Sequence, residues 1–165
     1  MKTLSMAVVL TLAALALPVA SLPAQPYYDQ VVIVLDASGS MTQPLPGTRM
    51  TKMTAAKDAL KAVLQKVPAS THIGLLVFSA ANLKDDWVYP LGPRDDAVLI
   101  QAIARIQANA GTPLGYYLKK GTDRLLAERA KQFGYGSYRL IVVTDGEAQD
   151  QDLFLPVGKG AERGI

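Results

Sequence analysis

The chain has 165 residues, which is enough for one domain with a substantial core and too few for two domains of ordinary size. Half of the residues are hydrophobic and 19% are charged, a balance that is typical of a globular protein rather than a disordered one. The net charge of +3 is spread along the chain without a block of lysine or arginine, so nothing in it indicates nucleic-acid binding. The absence of cysteine excludes disulfides, thiol catalysis and zinc held by cysteine.

Residues 1–24 have the pattern of a secretory signal peptide. Lys2 supplies the positive charge, Leu4–Leu17 is apolar, and Val19-Ala20-Ser21 offers the small residues that a signal peptidase requires. We expect cleavage at about residues 21–24. An uncleaved anchor is the alternative, but the apolar segment is shorter than the ~20 residues of a membrane-spanning helix. The sequence thus predicts a secreted or periplasmic protein whose mature chain has no membrane span.

Strands and helices alternate along residues 25–165. The long apolar runs are rich in β-branched residues and predict strands that are buried on both faces, whereas a short run that ends at Pro90 suits an edge strand. Segments with apolar residues at helical spacing separate the strands. The predicted elements are strand Gln30–Leu35, a helix from a Thr48 cap to Lys66, strand Thr71–Ser79, strand Trp87–Tyr89, helix Arg94–Gln107, a helix that opens at Pro113, and strand Tyr138–Thr144.

This order of elements predicts the fold class. Alternating strands and helices form an α/β architecture, with helices on both faces of a parallel sheet. We therefore expect a three-layer, doubly wound domain whose sheet is mainly parallel with one antiparallel edge strand.

Oxygen-bearing side chains follow or precede three of these elements. Asp36, Ser38 and Ser40 come directly after the first strand, and Asp145 comes after the last. Thr112 precedes the helix that opens at Pro113. In open α/β sheets, ligands bind at the carboxyl ends of the strands, and hard divalent ions such as Mg²⁺ prefer oxygen ligands. These five residues are therefore the candidate metal ligands.

Three motifs carry a resemblance to a known family. The segments Asp36-Ala37-Ser38-Gly39-Ser40-Met41, Gly111-Thr112-Pro113-Leu114-Gly115 and Thr144-Asp145-Gly146 resemble the metal-ion-dependent adhesion site (MIDAS) of the von Willebrand factor type A (vWA, integrin I-like) domain family. They stand in the order of the family and at about its spacing. The resemblance covers roughly Asp29 to the C-terminus, and the first motif has the form of bacterial members.

The resemblance implies a binding function rather than an enzyme. Ser38, Ser40 and Thr112 would ligate the ion through hydroxyls, and Asp36 and Asp145 directly or through water. The ion would be Mg²⁺, or Mn²⁺ or Ca²⁺, and a glutamate or aspartate of a protein partner would complete its shell. The family sheet has two more strands and a final helix after the loop at which this chain ends. We therefore expect the Rossmann-like vWA domain, residues 25–165, to lack its C-terminal strands.

Other interpretations of these residues stay open at this point. Asp36 at the end of a strand could be the nucleophile of a Mg²⁺-dependent phosphoryl-transfer enzyme, or the metal could be purely structural. Thr112 could cap the helix at Pro113, and Asp145 could be a turn residue before Gly146. His72, the one histidine, has no partner motif, which disfavours serine hydrolysis and favours a structural role.

Overall fold

A computed structural model describes residues 26–81, 83–109 and 111–146 of the chain. Residues 1–24, where the signal peptide is predicted, and the C-terminal segment 147–165 lie outside the described residues. The described elements are β1 Gln30–Asp36, a short 3-10 helix Gly39–Thr42, α1 Lys52–Lys66, β2 His72–Phe78, β3 Trp87–Gly92, α2 Asp96–Arg105, α3 Leu114–Lys131 and β4 Tyr138–Val143.

The four described strands form one sheet in the order β3-β2-β1-β4. Strand β1 is parallel to β2 on one side and to β4 on the other, with Asp36 opposite Phe78 and Leu35 opposite Val143. Strand β3 is antiparallel to β2. The predicted fold class is confirmed: the sheet is mainly parallel, has one antiparallel edge strand and is flanked by helices.

The two faces of the sheet carry separate hydrophobic clusters, because successive side chains of a strand point to opposite faces. Val31, Ile33 and Leu35 pack with residues of α1 and α2. Val32 and Val34 pack on the other face with residues of α3. Every residue of β1 is buried, which explains why its sequence is an unbroken apolar run that ends in Asp36.

Helix α3 lies close to the sheet because a glycine faces the strands. A Cβ atom at Gly121 would stand 2.8 Å from Leu140 Cδ1 and 3.2 Å from Val32 Cγ1. The absence of a side chain at this position lets α3 approach β1 and β4.

Two predicted boundaries differ most from the structure, and the others differ by one or two residues. Helix α1 begins at Lys52 after the N-cap Thr51, whose hydroxyl oxygen accepts a hydrogen bond of 3.1 Å from the Thr54 amide. Thr48 instead donates to the Leu45 carbonyl at 2.9 Å within the preceding loop. Strand β3 continues through Pro90 to Gly92, which is compatible with proline because β3 is an edge strand.

Candidate metal centre

The carboxyl ends of β1, β2 and β4 meet at one edge of the sheet, because the three strands are parallel and in register. Asp36 is the last residue of β1 and is wholly buried. Thr144 and Asp145 follow β4 directly. The fold thus brings together the predicted ligands at the ends of these two strands. They are far apart in the sequence: Ser40 and Asp145, for example, are separated by 105 residues.

Both oxygens of the Asp36 carboxylate accept hydrogen bonds. The Ser38 amide donates to Oδ1 at 2.7 Å, and the Thr144 hydroxyl donates to Oδ2 at 2.7 Å. None of the ion pairs in the described part of the chain includes Asp36. A buried carboxylate without a cationic partner is costly, and a bound cation is one of the ways in which proteins compensate such a charge.

A second series of hydrogen bonds connects the serine hydroxyls of the first motif to the aspartate of the last motif. Ser38 Oγ and Ser40 Oγ are 3.0 Å apart, and the Ser40 hydroxyl donates to Asp145 Oδ1 at 2.9 Å. Ser38 is buried and Ser40 is half-buried. Four of the five predicted ligands therefore lie in direct contact with at least one other, as a group of two carboxylates and two hydroxyls.

Asp145 also forms an ion pair with Lys52, the first residue of α1. The Lys52 ammonium contacts Asp145 Oδ2, and it donates to Gln43 Oε1 at 3.0 Å. Burial alone would raise the pKa of Asp145, but the hydrogen bonds from Lys52 and Ser40 and the charge of Lys52 outweigh it and hold this pKa below its ordinary value. Asp145 is consequently an anion at neutral pH.

The loop that carries Thr112 lies beside the first motif. The Asn109 amide donates to the Ala37 carbonyl at 2.8 Å, and the Ser79 hydroxyl donates to the Gly111 carbonyl. Thr112 is 8% exposed and stands directly before Pro113, the N-cap residue of α3. The structure therefore places Thr112 in the loop next to the other four residues, at the same edge of the sheet.

Gly39 allows the two loops to approach. A Cβ atom at this position would stand 2.9 Å from the backbone oxygen of Asn109, closer than carbon and oxygen can pack. We expect Gly39→Ala to lower the free energy of unfolding by about 1–3 kcal/mol, because a backbone group has to move. Urea denaturation measures this change.

Gly92→Ala is the matched control for Gly39→Ala. The nearest atom to a Cβ at Gly92 is the Pro90 carbonyl oxygen at 4.0 Å, so an alanine fits there without displacing anything. This variant should be as stable as the wild type or slightly more so. Equal stabilities of the two variants would contradict the close approach of the loops at Gly39.

The set of oxygens is chemically suited to a hard divalent ion. Carboxylates and hydroxyls are ligands that Mg²⁺, Mn²⁺ and Ca²⁺ accept, and water can fill the other coordination positions. Among the described residues, no three histidine, cysteine, aspartate or glutamate side chains lie close enough together to hold a metal ion by themselves. A site at this edge has to rely on hydroxyls in addition to its two carboxylates.

A separate pocket of about 630 Å³ lies between β3 and α2. Its lining includes Trp87, Val88 and Ile106 on the apolar side and Arg105 and Lys84 among its charged residues. None of the five predicted ligands lines it. The candidate metal centre is thus separate from this pocket.

The fold and this edge define a class: an α/β domain with oxygen-bearing loops at the carboxyl ends of parallel strands. The family model of the von Willebrand factor type A domain matches residues 31–147. The chain belongs to the von Willebrand factor type A domain family. Domains of this family are generally non-enzymatic interaction modules, and they are often extracellular.

A solved structure supports the same assignment. The von Willebrand factor type A protein from Catenulispora acidiphila is 25% identical, and the match has a TM-score of 0.51 and covers 78% of this chain. The match spans 36% of that protein, so most of the relative has no counterpart in the alignment. A search of curated proteins gave no match. Among the described helices, none is long and apolar enough to cross a membrane.

Two residues of the site were not predicted from the sequence. Thr144 belongs to the last motif, but its hydrogen bond to Asp36 depends on the pairing of β1 with β4. Lys52 is 93 residues from its partner Asp145. One local signal for Lys52 does exist: it is a lysine at the first position of a helix whose first turn holds no acidic residue.

Proposed function

We propose that this protein is a secreted or periplasmic vWA domain that binds a protein partner through a divalent metal ion. The supporting observation is the hydrogen-bonded group at the sheet edge: the Ser40 hydroxyl contacts Ser38 Oγ and donates to Asp145 at 2.9 Å, and the Ser38 amide donates to the Asp36 carboxylate. The family membership of residues 31–147 supports a role in protein interaction. The predicted signal peptide, residues 1–24, is the basis for the location outside the cytoplasm.

In this proposal Asp36, Ser38, Ser40, Thr112 and Asp145 hold Mg²⁺, or Mn²⁺ or Ca²⁺, as a MIDAS-type site. The bound ion supplies an electrophilic position that a glutamate or aspartate carboxylate of the partner completes. The hydroxyls add no charge, so the ion keeps more of its positive charge than it would among four carboxylates. The chain itself positions the ligands and contributes the two negative charges of Asp36 and Asp145.

The burial of Asp36 disfavours the enzymatic alternative. A nucleophile in phosphoryl transfer needs an oxygen that a bulky phosphoryl group can reach, whereas Asp36 is 0% exposed; a single ion, or a water molecule bound to it, needs much less room. We therefore propose that the protein is not an enzyme. The hypothesis of a purely structural metal differs from the binding function in one respect only: a structural metal needs no protein partner.

Affinity capture in three conditions tests the binding function. Full-length chain on a solid support is exposed to an extracellular extract with Mg²⁺ or with EDTA, and an Asp145→Ala variant is exposed with Mg²⁺. We expect a partner that is retained by the wild type with Mg²⁺ and is lost in the other two conditions. The Asp123→Ala variant is the matched control, because Asp123 is an exposed carboxylate on α3 paired with Lys119, and it should retain the partner.

Three results, the first from this experiment alone and the other two from separate assays combined with it, would contradict the proposal. Retention that is indifferent to EDTA and to Asp145→Ala would mean that the partner binds elsewhere. Hydrolysis of p-nitrophenyl phosphate that is abolished by Asp36→Ala, without any metal-dependent partner, would instead favour the phosphoryl-transfer enzyme. A metal that binds and stabilises the chain without a retained partner would favour the structural role.

A further inference from the structure

The positively charged ammonium group of Lys52 contacts a carboxylate of the candidate metal centre. It contacts Asp145 Oδ2, while Asp145 Oδ1 accepts the hydrogen bond from Ser40. The side chains of Lys52 and Asp145 are 23% and 12% exposed, so the pair is partly shielded from water. Ion pairs of this kind are stronger than those on an open surface, where solvent and salt screen the charges.

The position of Lys52 in its helix is unfavourable by itself. The N-terminus of a helix carries partial positive charge, which favours acidic residues and disfavours lysine in the first turn. Lys52 is the first residue of α1, and the first turn contains no acidic residue that could offset it. Helix formation therefore gives no reason for a lysine here. The contacts of Lys52 with Asp145 and Gln43 explain the lysine, and both of these partners lie outside the helix.

An ammonium group and a divalent ion would require the same carboxylate. Asp36 and Asp145 together contribute two negative charges to the edge of the sheet, and Lys52 neutralises one of them. A divalent ion that approaches Asp145 meets the repulsion of Lys52, and the ion can use Oδ2 only if the ammonium moves away from it. The side chain of lysine is long and flexible, so such a movement needs no change in the backbone.

We propose that Lys52 is an internal competitor of the metal ion, which holds Asp145 in place in the metal-free protein and lowers the affinity for divalent ions. This inference rests on the proposed metal-binding function and concerns the regulation of the same site. It makes metal binding a displacement of one cation by another. The same ion pair connects the start of α1 to the segment that follows β4.

Titration of the full-length chain with Mg²⁺ tests the inference. Lys52→Met removes the charge and keeps much of the side-chain length, and it should bind Mg²⁺ about tenfold more tightly than the wild type. Lys52→Arg keeps the charge and should bind Mg²⁺ about as the wild type does. Lys52→Gln is a second neutral variant that keeps hydrogen-bonding ability, and it should bind more tightly as Lys52→Met does.

Lys61→Met is the matched control on the same helix. Lys61 pairs with Asp58 on the exposed face of α1, nine residues further along, and its removal changes the net charge by the same amount. Because salt screens charges beyond about 8 Å at physiological ionic strength, its Mg²⁺ affinity should stay within about twofold of the wild-type value. If Lys61→Met gained as much Mg²⁺ affinity as Lys52→Met, the change in net charge alone would explain the effect. That result would overturn the inference.

Urea denaturation supplies a readout that does not depend on metal affinity alone. In EDTA, Lys52→Met should unfold at lower urea concentration than the wild type, since Asp145 loses its cationic partner. In saturating Mg²⁺ this deficit should disappear. Wild-type binding of Mg²⁺ together with equal or weaker binding by both neutral variants would overturn the inference and leave the proposed function intact. Absence of Mg²⁺ binding in every variant would overturn the proposed function itself.

Discussion

Asp36→Ala is expected to abolish the stabilisation of the full-length chain by Mg²⁺. At a concentration of Mg²⁺ one hundred times its dissociation constant, the wild type should gain about 2.7 kcal/mol in the free energy of unfolding, because the ion binds only the folded chain. The variant should gain nothing measurable, since it lacks the buried carboxylate that Ser38 and Thr144 orient at 2.7 Å each. Urea denaturation in Mg²⁺ and in EDTA measures the difference.

The comparison of Mg²⁺ with EDTA separates metal binding from intrinsic stability. Removal of the carboxylate leaves the Ser38 amide without its acceptor, which costs about 1–3 kcal/mol, but it also relieves an uncompensated buried charge. Because Asp36→Ala binds no ion, both contributions are the same for this variant in Mg²⁺ and in EDTA and cancel in its difference. Asp58→Ala, which removes an exposed carboxylate of α1, should retain the full Mg²⁺ effect. Retention of that effect in Asp36→Ala would contradict the assignment of Asp36.

Phe78→Ala is expected to lower the free energy of unfolding by about 3–5 kcal/mol, a large part of the total of a domain of this size. Phe78 is wholly buried in the cluster beneath α3, with its ring centroid 5.2 Å from that of Tyr117. Its carbonyl also accepts a hydrogen bond of 3.0 Å from the Ala37 amide, so it lies directly beside the first ligand loop. The truncation leaves a cavity at the end of β2, next to Asp36.

Phe133→Ala is the matched control for this truncation. Phe133 is 80% exposed after the end of α3, so the same chemical change should alter the free energy of unfolding by no more than about 0.5 kcal/mol. Phe78→Leu should lie between the two, because it retains most of the buried volume. Urea denaturation of the three variants checks this order. A small effect of Phe78→Ala would contradict the packing of α3 on β2.

The fold could be predicted largely because its strands are long apolar runs. The run from Val31 to Leu35 is buried on both faces, and that pattern identifies a central parallel strand without further information. The start of α1 could not be predicted in this way. Thr48 and Thr51 are both good capping residues, and only the loop in which Thr48 donates to Leu45 decides between them.

The sequence predicted a set of candidate ligands but not the contacts among them. The motifs indicated which oxygen-bearing residues belong together, and the structure brings Asp36, Ser38, Ser40 and Asp145 into direct contact. The role of Lys52 depends on the distance between α1 and the end of β4, which is a property of the packed sheet. Pairs so far apart in the sequence leave no local pattern, apart from the unusual lysine at the start of the helix.

Isothermal titration of the full-length wild-type chain with Mg²⁺ is the most direct measurement of the proposed metal centre. We expect one binding site per chain, since the two carboxylates and the adjacent hydroxyls form a single group at the edge of the sheet. Titration of Asp145→Ala should show no such site. The absence of binding by the wild type with Mg²⁺, Mn²⁺ and Ca²⁺ alike would contradict the metal centre and the metal-dependent binding that is proposed from it.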